Sequence, residues 1–209
     1  INLIILSSTM NRRQFVKQGS MLSAAAFVPF ITQAVAKENP VLLITSGWQD
    51  VNIGDIAHTP GLIGLLQKRL PKAKIILWKK SKSEKVETML NTYYPNVRII
   101  HGAVDKSFVP QTEEVKKAFQ EADFFIHGSG PSVVAADYVE SWHKQTQKPF
   151  GIFGVTTQNI TPSLKDLLQH ASFIFTRETA SIQKLKEAGL EGNHIAFAPD
   201  ATFVLEIHD

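Results

Sequence analysis

The chain has 209 residues, with 22 lysines and arginines against 19 acidic residues, and no cysteine. Arg12, Arg13 and Lys17 account for the whole formal excess of +3, since removing them from the 22 leaves 19 against 19. A balanced remainder excludes the clustered basic surface of a nucleic-acid partner, and the missing cysteines exclude disulfides, a thiolate nucleophile and Cys-based metal sites. The seven histidines are scattered, with no His-Glu-x-x-His spacing, so neither a metal nor a cofactor is implied.

Met10 stands directly before Asn11-Arg12-Arg13-Gln14-Phe15-Val16-Lys17 and is expected to be the initiator, which leaves residues 1–9 without a structural role. A charged start, an apolar run from Met21 to Ile31, and Ala34-Val35-Ala36 before Lys37 predict an export signal over residues 10–36, cleaved after Ala36. The paired arginines followed by Phe15 and Lys17 resemble the twin-arginine export motif. That resemblance implies the twin-arginine translocation machinery as a partner and a periplasmic or cell-envelope location. An uncleaved anchor is the alternative, but the run is short and broken by Pro29, where a span takes about 20 apolar residues.

From residue 41 onward short apolar runs alternate with amphipathic segments. Strands are predicted at 41–45, 74–78, 97–101, 123–127, 150–155, 173–176 and 194–198. Helices are predicted between them, at 56–70, 83–94, 112–122, 133–147, 163–171 and 179–188. Consecutive Phe124-Phe125-Ile126 and the pairs Ile152-Phe153 and Ile174-Phe175 mark strands buried on both sides. The fold class is therefore α/β, a Rossmann-like parallel sheet with helices on both faces. Residues 37–209 form one domain with no repeat or linker. The apolar segment 202–207 reads as a strand cut short, and the natural protein is expected to continue beyond Asp209.

In an open parallel sheet, ligands sit beyond the carboxyl ends of the strands, where helix N-termini point free N–H groups outward. After the first strand, Asn52-Ile53-Gly54-Asp55 offers an amide at Asn52, a glycine for a tight turn at Gly54, and at Asp55 either a helix cap or a ligand contact. The loop lacks the Gly-Lys-Ser/Thr of a P-loop and the close glycines of a dinucleotide fingerprint. Lys79-Lys80-Ser81-Lys82, with Lys85 following, reads as a solvated loop rim. After the fourth strand, His127-Gly128-Ser129-Gly130-Pro131-Ser132 is either an anion-holding nest of N–H groups or a compact strand-to-helix connection, and His127 either a ligand contact or a satisfied strand-end histidine. Arg177 follows the sixth strand, where a guanidinium either grips a carboxylate or phosphate or pairs on the surface with Glu178. Asp200 follows the last strand and either joins the site or starts a turn.

Taken in order, these segments resemble the polysaccharide pyruvyl transferase family. The matching pieces are Asn52-Ile53-Gly54-Asp55, the run Ala122-Asp123-Phe124-Phe125-Ile126-His127-Gly128-Ser129-Gly130, Lys148-Pro149-Phe150-Gly151-Ile152-Phe153-Gly154, Arg177-Glu178-Thr179-Ala180-Ser181, and Pro199-Asp200. The resemblance implies the N-terminal half of a glycosyltransferase-B-type two-domain enzyme, with the second domain beyond Asp209. It implies transfer of a pyruvyl group from phosphoenolpyruvate, or a similar anionic donor, onto a carbohydrate acceptor of an envelope or extracellular polysaccharide. Arg177 is then the catalytic cation, and Asn52, Gly54, Asp55, His127, Gly128, Ser129, Gly130 and Asp200 line the substrates. Two other readings stand beside it: a non-catalytic carbohydrate-binding module, and a glycosyltransferase using a nucleotide sugar.

Overall fold

The computed structural model describes residues 28–35 and 37–205. The initiator, the paired arginines and the apolar run up to Phe27 lie outside the described residues, as do Ala36 and the end of the expected last strand.

The seven strands predicted between residues 41 and 198 all form, and they make one parallel sheet. They are β1 (Val41–Thr45), β2 (Lys74–Trp78), β3 (Arg98–Ile100), β4 (Phe124–His127), β5 (Phe150–Val155), β6 (Phe173–Thr176) and β7 (Ile195–Phe197), in the order β3-β2-β1-β4-β5-β6-β7. The chain winds outward from β1 to β3, then returns to the other side of β1 and winds out to β7. The reversal between β1 and β4 is the topological switch point, where crossovers leave in opposite directions and open a crevice above the sheet. Helices α1 (Val28–Ala34), α2 (Ile53–Arg69), α3 (Glu84–Tyr93), α4 (Glu113–Glu121), α5 (Ala136–Thr146), α6 (Pro162–Leu168) and α7 (Thr179–Glu187) cover the two faces, and a 3-10 turn, Ala201–Val204, follows β7.

Alternate strand residues feed two separate cores. Leu42, Ile44, Ile75, Leu77, Phe124, Phe173 and Phe175 meet Leu62 and Leu66 of α2 on one face. Leu43, Ile76, Trp78, Phe125, Ile152 and Ile174 meet Val115, Trp142 and Leu185 on the other. Each such side chain, once buried, contributes about 1.5–3 kcal/mol of transfer free energy, which is why these strands read as unbroken apolar runs. Gly151 has a steric reason: a Cβ there would stand 2.2 Å from the Phe173 ring. With no side chain in the way, Phe124 and Phe173 lie nearly parallel, centroids 6.0 Å apart, on the strands flanking β5.

Helix starts follow local capping chemistry. Ser83, Thr112 and Thr161 each accept from the amide three residues on, and Pro162 occupies the first turn of α6. Two expectations are corrected. α2 begins at Ile53, not Ile56, because Asn52 is the cap, its Oδ1 accepting from Gly54 N at 2.8 Å. Residues 201–204 are a 3-10 turn where a strand was expected, since Asp200 accepts from Thr202 N at 3.0 Å and turns the chain onto α2.

Candidate functional site

The loops that leave β1, β5, β6 and β7 converge at the carboxyl edge of the sheet. Arg177, just past β6, donates through Nε to Thr156 Oγ1 at 2.8 Å and through NH1 to Asp200 Oδ2 at 3.1 Å. The expected alternative, a surface pair with Glu178, is not formed: Glu178 accepts from Ser181 Oγ. The Arg177 side chain keeps 30% exposure, and its NH2 group has no partner among the described residues.

Asp200 is the hub. Its Oδ2 lies 3.1 Å from His58 Nε2, and Oδ1 holds the Thr202 amide. Burial alone would raise its carboxyl pKa, but hydrogen bonds from His58, the Thr202 amide and Arg177 outweigh burial and pull it down to about 2. Asp200 is therefore a carboxylate at any physiological pH. His58 is 6% exposed, with Nδ1 4.0 Å from Asp55 Oδ1 and without a hydrogen-bond partner. Asp55 receives Gln49 Nε2 on its other oxygen at 2.7 Å. A continuous polar row thus runs Gln49, Asp55, His58, Asp200, Arg177, Thr156, across the switch point from α2 to β5. Among the described residues no group of three or more His, Asp or Glu side chains suits a metal ion.

The structure sorts the expected site residues. Asn52, Asp55, Arg177 and Asp200 share this edge, with Asn52 exposed and its Nδ2 without a partner among the described residues. Asp55 is not the helix cap, which is Asn52, so its carboxylate is not consumed in capping. Gly54 lies inside the first turn of α2; the residue that needs a positive φ is Gly47, at 70°, and a Cβ there would meet Thr59 Oγ1 at 2.5 Å.

His127 and the glycine turn are corrected. His127 is fully buried beneath the Trp48 ring, centroids 4.7 Å apart, and its Nε2 accepts from Ala135 N at 3.2 Å. It cannot touch a ligand. Burial drives its pKa down to about 3, keeping the ring neutral. The turn is the compact connection, not an open nest. Gly128 N donates to Thr45 O at 2.8 Å, Gly130 N to Gly154 O at 3.4 Å, and Ser129 O accepts from Trp48 Nε1 at 2.7 Å. Ser129 Oγ, wholly buried, accepts from Ala201 N at 3.0 Å. These residues hold the floor of the crevice together.

Sequence reasoning missed His58, Thr156 and Trp48. His58 had one signal: it lies three residues after Asp55, a spacing that places both on one helix face. The Lys79 expectation is also corrected. Lys79 is 2% exposed and donates to Asp50, Ser81 O and Ser81 Oγ, tying the loop after β2 to the loop after β1. Two cavities lie away from the Arg177 row: one of about 690 Å³ between α5 and α6, and one of about 300 Å³ near Lys80, His101 and Tyr138. We place the candidate site at the row itself, because there the charged groups and the switch point coincide.

The class of protein is a doubly wound α/β domain that gathers an arginine, a buried carboxylate–histidine pair and a non-capping aspartate at the carboxyl edge of its sheet. The particular family follows from sequence: residues 52–208 match the polysaccharide pyruvyl transferase family, and the chain belongs to it. No match was found among curated proteins. Two solved structures are similar. One is a UGT transferase from Siraitia grosvenorii in complex with UDP, at 10% identity over 76% of this chain and 50% of that one, with a TM-score of 0.43. The other, Sa239, has 11% identity over 68% of this chain and 61% of that one, with a TM-score of 0.39. The chain thus spans about half the length of the first and under two thirds of the second.

Proposed function

We propose that the chain supplies one wall of a pyruvyl transferase site, in which phosphoenolpyruvate or a similar anionic donor meets two hydroxyls of a polysaccharide sugar. The observation that carries this reading is Arg177, held by Thr156 and Asp200 so that its guanidinium is fixed at the carboxyl edge with NH2 unclaimed. A fixed guanidinium binds carboxylate or phosphate in a fork without losing side-chain freedom on binding.

The reaction is a proton-balanced addition. A proton reaches the methylene carbon of the donor, one sugar hydroxyl adds to the central carbon, phosphate leaves, and the second hydroxyl closes the ketal. Of the two hydroxyl protons, one ends on the new methyl group and one on phosphate. Arg177 balances the donor's negative charge. Asp55, oriented by Gln49 and backed by His58, is the group we assign to receive a hydroxyl proton, and the Asn52 amide is assigned to the acceptor. His58 is a positioning residue, since both ring nitrogens face carboxylates.

Arg177 is 30% exposed at an open edge, whereas transfer to a sugar rather than to water needs an enclosed site. We therefore propose a second domain beyond Asp209 as the opposite wall; separately, from the pattern Arg12-Arg13-Gln14-Phe15-Val16-Lys17, we propose export of the folded protein by the twin-arginine route. The test is turnover by the full-length protein of phosphoenolpyruvate with a sugar acceptor, read as phosphate released and ketal formed. Sugar binding without turnover would support the non-catalytic module instead, and turnover only with a nucleotide sugar would support the glycosyltransferase.

A further inference from the structure

The segment that reads as the end of an export signal lies against the sheet. Ile31 is fully buried and Val35 is 8% exposed, both within the core that contains Leu66, Phe173 and Phe175. Phe30 sits over β6, its ring centroid 6.2 Å from Phe173 and 6.0 Å from Phe175, edge-on to the latter at 83°. Val35 N donates to Ile31 O at 2.8 Å, and Lys37 N to Val35 O at 2.8 Å. Lys37 Nζ then donates to Asp123 Oδ1 at 2.6 Å, while the other oxygen of Asp123 holds the Val41 amide at 2.9 Å. Ile31 and Val35 are thus held by apolar burial, and Lys37 by an ion pair.

We propose that residues Val28–Val35 are a permanent part of the folded domain and that their packing against the sheet keeps them in the mature protein, out of reach of the peptidase that would remove a leader. A peptidase binds its substrate extended, and a folded segment is cut only from its opened state. Opening here would take Phe30, Ile31 and Val35 off the sheet and leave the apolar faces of Phe173 and Phe175 in water. Timing matters as well, and this part rests on the export reading: a twin-arginine substrate is folded before it meets the peptidase. The apolar surface at Phe173 and Phe175 is thus covered by the chain's own residues Phe30, Ile31 and Val35.

The test uses the full chain expressed in a cell with twin-arginine export. Intact mass and N-terminal sequencing of the exported protein should find residues 28–35 retained. Folded protein beginning at Lys37 overturns the proposal. Ile31→Asp, which expels the segment, should convert the product to one beginning at Lys37, whereas the exposed control Gln33→Ser should not; equal processing of both overturns it. If the protein is not exported, the export reading fails by itself, and hydrogen exchange on the purified chain still decides the packing. The amides of Val35 and Lys37 should then exchange at least about a hundredfold more slowly than in an unstructured peptide. Exchange at the free-peptide rate overturns the proposal.

Discussion

His58 Nε2 lies 3.1 Å from Asp200 Oδ2, joining the first crossover helix to the residue that follows the last strand. Because the same carboxylate oxygen also receives Arg177, Asp200 sets the position of the cation we assign to the anionic donor. Asp200→Asn keeps the shape and removes the charge. We expect it to raise KM for the donor and to lower kcat/KM by about tenfold or more, measured by phosphate release. Unchanged kinetics would remove Arg177 and Asp200 from the site.

Arg177→Lys tests the fork rather than the charge. An ammonium cannot hold Thr156 and Asp200 and still present a second nitrogen in the same plane. The expected loss is about a hundredfold in kcat/KM, close to that of Arg177→Ala, with the melting temperature within a few degrees of the parent. Activity near the parent's would show that a point charge suffices.

Acid should weaken the fold through His127 before Asp200 contributes. The folded state holds His127 at about 3 against an ordinary 6.5, so the unfolded chain binds an extra proton between these values. Stability then falls as pH drops from about 6.5 toward 3, by up to about 1.4 kcal/mol per pH unit. Asp200, lowered to about 2 from 3.8, contributes stability that is present above about 4 and lost as pH falls toward 2. His127→Gln should flatten the decline of melting temperature between pH 6.5 and 4.5. A decline as steep as the parent's would mean that other groups carry it.

Lys79→Met leaves the Asp50 carboxylate buried without its cation. Removing one member of such a pair costs about 3–5 kcal/mol, whereas replacing both with apolar groups is often near neutral. Lys79→Met should lower the denaturation midpoint strongly, and Lys79→Met with Asp50→Leu should recover most of the loss. A double variant no better than the single would show that Ser81, which also receives Lys79, matters more than the charge.

Much of the fold was legible because burial leaves a pattern in sequence. Phe124-Phe125-Ile126 and Ile174-Phe175 announce strands covered on both faces, and the Arg177 and Asp200 motifs fall at strand ends, where the candidate site is placed. What stayed hidden depends on distant parts of the chain. Lys79 is indistinguishable from its solvated neighbours until Asp50 is brought beside it. Thr202–Val204 has the composition of a strand, and only the Asp200 cap turns it back. Asn52 and Asp55 both suit an N-cap, and the choice between them rests on where the loop after β1 enters α2. His127 looked available because it stands before a glycine turn; the Trp48 ring that covers it comes from another loop.

The floor of the site also has a history within each folding event. A Cβ at Gly61 would stand 2.3 Å from Ala201 O, so α2, made early in the chain, is shaped to receive a turn made near residue 200. Contacts of such long sequence separation form late and slowly, because the intervening chain must be ordered first. His58, Asp200 and Ser129 therefore meet only when the last strand has docked. During synthesis α2, the first crossover helix, waits through six strands for the residues that complete its polar row, and no chain that lacks the last strand carries the whole row.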